Sequence, residues 1–192
     1  MTLFHVSHRR ARATGGIFSN DWFLGNQGQF EQHLAHLAGT PCRLLEIGCY
    51  EGQATTWLLT HIATHPQSTI TCVDLGEQTS FWANVTTSGR EASIELLLGN
   101  SRDVLPALRP GFDFIYIDGA HSSAEVLQDA ILAWRLARPG AIIAFDDYRW
   151  KDDQGYGGGT PKPAIDAFLR LYRQKLEILA KNYQVWIRKE IE

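Results

Sequence analysis

Five short apolar runs separated by helix-like stretches restrict what this chain can fold into. The runs are "RLLEIG", "TITCVDL", "SIELLLG", "FDFIYID" and "AIIAFDD", and the stretches between them are 52–65, 78–88, 101–108 and 121–137. Strand-helix alternation of this kind means parallel strands joined by crossover helices. The runs are apolar almost throughout instead of alternating in and out, as expected of strands covered by helices on both faces. The stretch 121–137 carries Val126, Leu127, Ala130, Ile131, Trp134 and Leu136 near a 3.6-residue stripe, and "ARPG" ends it. After Asp147 the chain becomes polar and rich in Gly and Pro, then predicts a helix over 161–173 and two runs, "LEILA" and "YQVWIRK", paired as a hairpin through Lys181-Asn182. The expectation is an α/β, doubly wound, mainly parallel seven-stranded sheet closed by a C-terminal antiparallel hairpin. One domain spans 1–192, with 1–40 as an N-terminal cap over the substrate and 148–163 as a mobile active-site loop.

Composition sets outer bounds. A chain of 192 residues, 44% apolar, can bury a core without metals or disulfides. A formal charge of −3 gives no general attraction to nucleic acid, and the short basic arm from His8 to Arg12 reads as solvated. Cys42, Cys49 and Cys72 lie in or beside predicted strands without disulfide or zinc spacing, so they read as buried free thiols. No stretch has the uninterrupted apolar character of a secretory signal or a membrane span, and a cytoplasmic location is expected.

In an open parallel sheet, ligands bind beyond the carboxyl ends of the strands. Gly48 to Gly52 lies at such an end, where glycines let backbone approach a ligand and a helix start offers free N–H groups. The segment reads G-C-Y-E-G, so the G-x-G-x-x-G of a pyrophosphate site is missing and an adenosine-type ligand without pyrophosphate is favoured. Asp74, ending the second strand, either accepts both ribose hydroxyls or caps the next helix; its agreement with the glycine turn favours the ribose. Asp118 ends the fourth strand, and Asp146 and Asp147 end the fifth. Three carboxylates on one rim repel one another without a cation, and an all-oxygen set suits Mg²⁺. Adjacent strand residues face opposite ways, so Asp146 and Asp147 share an ion only if the chain bends between them. The plainer reading is that one caps a turn and the other meets solvent. His121 is a candidate general base or, alternatively, a cap for the helix that follows. The pairs His33/His36 and His61/His65 lack a third ligand and read as solvated.

Together, "LLEIGCYEGQAT", "CVDL", "LLGNSRDVLPAL", "FDFIYIDGAH" and "ARPGAIIAFDDY" resemble, in order over about 42–150, the class I S-adenosylmethionine-dependent methyltransferases with their Rossmann-like fold. The G-x-Y-x-G segment is most similar to the catechol O-methyltransferase group. "IDGAH" and "FDDY" resemble bacterial small-molecule O-methyltransferases that use magnesium, including macrocin-type sugar methyltransferases. The resemblance implies that Glu46, Gly48, Tyr50 and Gly52 border the methionine part of the cofactor, that Asp74 holds the ribose, and that Asn100 and Ser101 face the adenine, with Trp82 as an optional aromatic partner. It implies that Asp118 lies near the cofactor's amino group and, with Asp146 and Asp147, a Mg²⁺ ion. His121 stands where the catechol enzymes carry a lysine base, and Asp147 where some relatives have asparagine.

The implied function is Mg²⁺-assisted O-methylation of a small molecule with neighbouring hydroxyls: a catechol, a sugar or another natural product. Trp22, Phe23, Tyr148, Trp150 and Tyr156 are candidates for an aromatic wall or for plain packing, and Lys162 and Arg149 for contact with an acidic substrate. Competing readings are a catalytically silent cofactor-binding regulator and a nicotinamide-dependent oxidoreductase. Nucleic acid and membranes are not expected partners, and a homo-oligomer is left open.

Overall fold

The computed structural model describes residues 16–152 and 159–190. Seven strands, β1 (Arg43–Ile47), β2 (Thr69–Asp74), β3 (Ile94–Leu98), β4 (Phe112–Ile117), β5 (Ala137–Phe145), β6 (Leu176–Lys181) and β7 (Val185–Lys189), form one sheet. Their order is β3-β2-β1-β4-β5-β7-β6. The first five run parallel, and β7 joins β5 antiparallel before pairing with β6. The helices are α1 (Gln27–Leu34), α2 (Gln53–His61), α3 (Phe81–Thr86), α4 (Ser101–Val104), α5 (Ser123–Leu136) and α6 (Pro161–Tyr172). No helix among the described residues is long and apolar enough to cross a membrane.

The absence of in-out alternation in the parallel strands is explained by two cores, one on each face. Leu45, Ile47, Val73, Ile115, Ile117 and Ile143 pack under α5 and α6, against Val126, Ala130, Trp134, Ile165 and Phe168. Leu44, Ile70, Cys72, Phe114, Tyr116 and Ile142 pack on the other side against Phe30 of α1, Trp57 and Leu58 of α2 and Phe81 of α3. Phe30 anchors the second core, its ring edge-on to those of Phe23, Trp57, Phe114, Tyr116 and Trp186 at centroid distances of 4.9–5.9 Å. All three cysteines are free and buried.

Element boundaries differ from the expected ones for local reasons. The predicted helix 101–108 is one α-helical turn, α4, followed by a 3-10 turn at Leu105–Ala107, where Pro106 stands. "ARPG" does end α5, but it also begins β5, which bulges opposite Phe112 and Phe114 before pairing regularly from Ile142. The hairpin turns at Asn182–Gln184 instead of Lys181-Asn182, because a bulge between Ile178 and Ala180 lengthens β6. Tyr183 and Gln184 therefore leave the strand and sit at the hairpin tip. The core of the expected mobile loop, 153–158 with Tyr156, lies outside the described residues, as does the basic arm His8–Arg12.

Candidate active site

Strand register alone builds a row of functional groups. Glu46 is level with Cys72 on one side and Tyr116 on the other, and Tyr116 with Ala144. Two residues further on, on the same face, come Asp74, Gly48, Asp118 and Asp146. Backbone bonds from Gly48 N–H to the Val73 carbonyl (2.8 Å), Asp118 N–H to Ile47 (2.8 Å) and Asp146 N–H to Ile117 (3.0 Å) carry the ladder to this rank. It lies where strand order reverses between β1 and β4, the expected ligand crevice of such a sheet. A cavity of about 920 Å³ opens there, lined by Glu46, Gly48–Glu51, Asp74, Asn100–Arg102, Asp118–His121, Asp146 and Asp147.

The glycine loop also answers to contacts within the protein. Gly48 has φ +85°, and a Cβ there would lie 2.3 Å from the Asp118 carbonyl oxygen; Gly52 has φ +77° and abuts the Phe81 ring. Both glycines are thus required by close approach of protein to protein. The first amides of the loop are not free either. Asp74 Oδ2 accepts from the N–H groups of Cys49 (3.0 Å) and Tyr50 (2.9 Å), so Asp74 ties the loop to β2. It does not cap α3, which begins at Phe81. Tyr50 itself takes φ +45° and stands half-exposed with its ring 6.0 Å from that of Trp22. Glu46 is 1% exposed; its Oε2 accepts from Thr55 Oγ1 at 2.6 Å and, more weakly, from Cys72 Sγ at 4.0 Å, and burial pushes its carboxyl up to about 8 against a lowering by Thr55.

At the other end the chain bends as a shared acidic site requires: Asp147 adopts φ +55°, left-handed for a residue with a side chain. Asp146 accepts from the Tyr116 hydroxyl, from Asn26 Nδ2 at 3.3 Å and, at Oδ1, from the Asp147 N–H at 2.7 Å. Asp147 Oδ2 meets His121 Nε2 at 2.7 Å, while Oδ1 accepts from the Tyr183 hydroxyl at 2.9 Å. Burial raises the Asp118 carboxyl, reinforced by Asp146, Asp147 and Glu46; burial also raises Asp146, against the Tyr116 bond. The hydrogen bond to Asp147 raises His121, outweighing its desolvation. His121 is not the cap of α5, because Ser122 holds that place: its hydroxyl accepts from the Glu125 N–H at 3.4 Å and donates to the Glu125 carboxylate at 2.6 Å.

Among the described residues, no three His, Cys, Asp or Glu side chains are grouped so as to hold a metal ion, and protein donors engage Asp146 and Asp147. The donor chemistry of the set nevertheless fits a hard divalent cation, since Asp118, Asp146 and Asp147 offer only oxygens, and burial together with neighbouring carboxylates raises Asp118 and Asp146 where positive charge would favour their ionised forms. Several expected contacts are absent. Trp82 is not in the cavity wall; its Nε1 donates to Glu77 at 3.2 Å. Tyr148 is buried away from the cavity with Lys162 and Lys181 over its ring, and Lys162 is held by Asp166. Phe23 is a core residue that also reaches the cavity, whereas Trp22, 75% exposed, and Trp150, 4.8 Å from the His121 ring, stand at its mouth. His33 packs against Trp186, and His61 stacks on Trp57 at 4.5 Å, so neither is simply solvated. Sequence reasoning missed Asn26, Tyr116, Tyr183 and Gln184, whose Nε2 donates to the Tyr116 hydroxyl at 3.4 Å. Tyr116 was detectable, since it shares a strand face with Asp118 two residues on.

Residues 45–148 match a family model described as a methyltransferase domain. The catechol O-methyltransferase of Mycobacterium tuberculosis (strain ATCC 25618 / H37Rv) is 31% identical over 162 residues, 81% of this chain and 67% of that protein. The chain belongs to the class I S-adenosylmethionine-dependent O-methyltransferase family. Solved methyltransferases share the fold. The O-methyltransferase TomG from Streptomyces achromogenes, in complex with SAM, has a TM-score of 0.67 at 19% identity, covering 86% of this chain and 80% of its own. MycE from the mycinamycin biosynthetic pathway, in complex with Mg and SAH, has a TM-score of 0.64 at 17% identity, covering 85% of this chain and 48% of its own. Membership sets aside the nicotinamide reading: the cofactor of this methyltransferase is S-adenosylmethionine.

Proposed function

We propose that this methyltransferase moves a methyl group to an oxygen of a small molecule with neighbouring hydroxyls, with Mg²⁺ held by Asp118, Asp146 and Asp147 and with His121 as the base. The observation that carries the proposal is the His121–Asp147 pair at 2.7 Å, set beside Asp118 and Asp146 in the cavity that Asp74 and Gly48–Glu51 also line. Bound Mg²⁺ would supply positive charge that lowers the proton affinity of an acceptor hydroxyl. Asp74 would hold the ribose through oxygen capacity left beside its two loop amides, with Glu46, Gly48, Tyr50 and Gly52 around the methionine part and Asn100 and Ser101 toward the adenine. Asp118 would also lie near the cofactor's amino group.

The hydrogen bond to Asp147 shifts His121 toward its protonated form, which cannot accept a proton. Asp147 must slacken its hold before the imidazole becomes a neutral base, and giving an oxygen to a cation would do that. Base and cation site are thus linked through one carboxylate. The remaining contribution of the protein is alignment and exclusion of water, which in well-oriented systems is worth about 7–11 kcal/mol. Trp22 and Tyr50 on one side and Trp150 on the other would wall the acceptor, which makes the segment before β1 part of the substrate site.

The test is methyl transfer to a panel of catechols and sugars. His121→Ala should lower turnover by roughly 100-fold or more while S-adenosylhomocysteine affinity stays within about twofold. EDTA should abolish transfer and Mg²⁺ restore it. Activity indifferent to EDTA removes the metal, and full turnover in the variant removes the base. Tight cofactor binding with no transfer to any acceptor favours a silent regulator.

A further inference from the structure

The two residues assigned to the adenine have committed side chains. Asn100 Oδ1 accepts from the Arg102 N–H at 3.1 Å and caps α4, while Ser101 Oγ donates to Asp129 Oδ1 at 2.6 Å. Asp129 comes from α5, an element not expected at the cofactor site. It is 2% exposed, yet it lines the cavity beside Asn100 and Ser101. Among the described residues no donor reaches its Oδ2, and no Lys, Arg or His pairs with it. Asp129 Oδ2 is not among the buried side-chain atoms left without a partner, and with Oδ1 taken by Ser101 it is the oxygen that opens on the cavity, free to accept from a ligand donor. Its carboxyl is raised by burial, partly offset by the Ser101 bond. The other polar side chains on this stretch of α5, Glu125 and Gln128, lie at the exposed rim, and Glu125 is engaged by Ser122.

We infer that Asp129 selects adenine in the cofactor, its Oδ2 accepting a hydrogen bond from the exocyclic amine while Ser101 fixes the carboxyl through Oδ1. The inference rests on the assignment of S-adenosylmethionine to this cavity. A purine with oxygen at position 6 would set an acceptor against an acceptor. An amine there supplies the missing donor and favours the ionised carboxylate. Sites built to bond one polar group reject its replacement strongly, because both partners are then buried unpaired.

The experiment is calorimetric titration of the whole protein with S-adenosylhomocysteine and with S-inosylhomocysteine, in which carbonyl oxygen replaces the amine. The wild type should prefer the adenine ligand by about tenfold to hundredfold, as a hydrogen bond to a charged group implies. Asp129→Asn keeps an acceptor for Ser101 and offers an amide to either base, so it should cut that preference by roughly fivefold or more. Ser101→Ala should keep a preference for adenine. Equal binding of the two ligands by the wild type, or an unchanged ratio in Asp129→Asn, overturns the inference. A crystal of the wild type with S-adenosylhomocysteine decides independently of any variant's folding: Asp129 Oδ2 must lie within about 3.2 Å of the amine nitrogen. If the wild type binds neither ligand, the cofactor assignment fails instead.

Discussion

Glu46→Gln should make the empty protein more stable at neutral pH. Glu46 is 1% exposed on the cavity floor and bonded by the Thr55 hydroxyl; among the described residues no cationic side chain forms an ion pair with it, and its carboxyl is pushed from 4.5 up to about 8. The folded state therefore keeps a proton that the unfolded chain releases. The stability this contributes is complete below pH 4.5 and is lost as pH rises toward 8. At about 1.36 kcal/mol per pH unit, the loss is on the order of 3 kcal/mol by pH 7 and 5 kcal/mol over the whole interval. Glutamine keeps an acceptor for Thr55 and carries no proton to lose. Urea denaturation of both proteins at several pH values from 5 to 9 should show the wild type falling steadily relative to the variant, by several kcal/mol in all. Parallel curves would refute the reasoning, for they would mean that Glu46 ionises in the folded protein as easily as in water.

Tyr183→Phe removes the hydroxyl that holds Asp147 Oδ1 at 2.9 Å. Because Tyr183 is half-exposed, the loss is discounted to about 1 kcal/mol, and kcat should fall roughly fivefold with S-adenosylhomocysteine affinity unchanged; an unaltered kcat would show that Asp147 needs no such anchor. Gly48→Ala forces a Cβ to within 2.3 Å of the Asp118 carbonyl at φ +85°, which should cost about 3 kcal/mol and lower Tm by roughly 10 °C in a melting experiment. An unchanged Tm would mean that β1 and β4 can separate there without loss.

The sheet was legible because doubly covered strands have few residue types to choose from: "RLLEI" and "FDFIYI" read as parallel core strands and are so. The rank of Asp74, Gly48, Asp118 and Asp146 was legible for the same reason, since each follows directly from a strand end. Residues that answer to tertiary contacts were not. Gly48 and Gly52 pointed to a ligand, although their nearest neighbours are Asp118 and Phe81, and no local pattern reports which atoms will approach a missing Cβ. His121 was visible as a candidate, but its pairing with Asp147 depends on the left-handed bend at that aspartate, and only the bend brings the two together. Tyr183 read as a strand residue because aromatic rings favour strands; a bulge in the partner strand moved it to the tip.

The reversed direction of β7 has a consequence for how the protein is made. An antiparallel strand beside β5 starts where β5 finishes, so the hairpin tip arrives at the acidic rim and supplies the Tyr183 hydroxyl, while the Tyr148 N–H bonds the Tyr183 carbonyl at 2.9 Å. On the ribosome, this hairpin emerges after every other element of the sheet. The glycine loop and its Asp74 tether can form from early segments, but the acidic rim waits for the last pairing. Under the proposed assignment, a nascent chain would thus gain its hold on the cofactor before its means of using it.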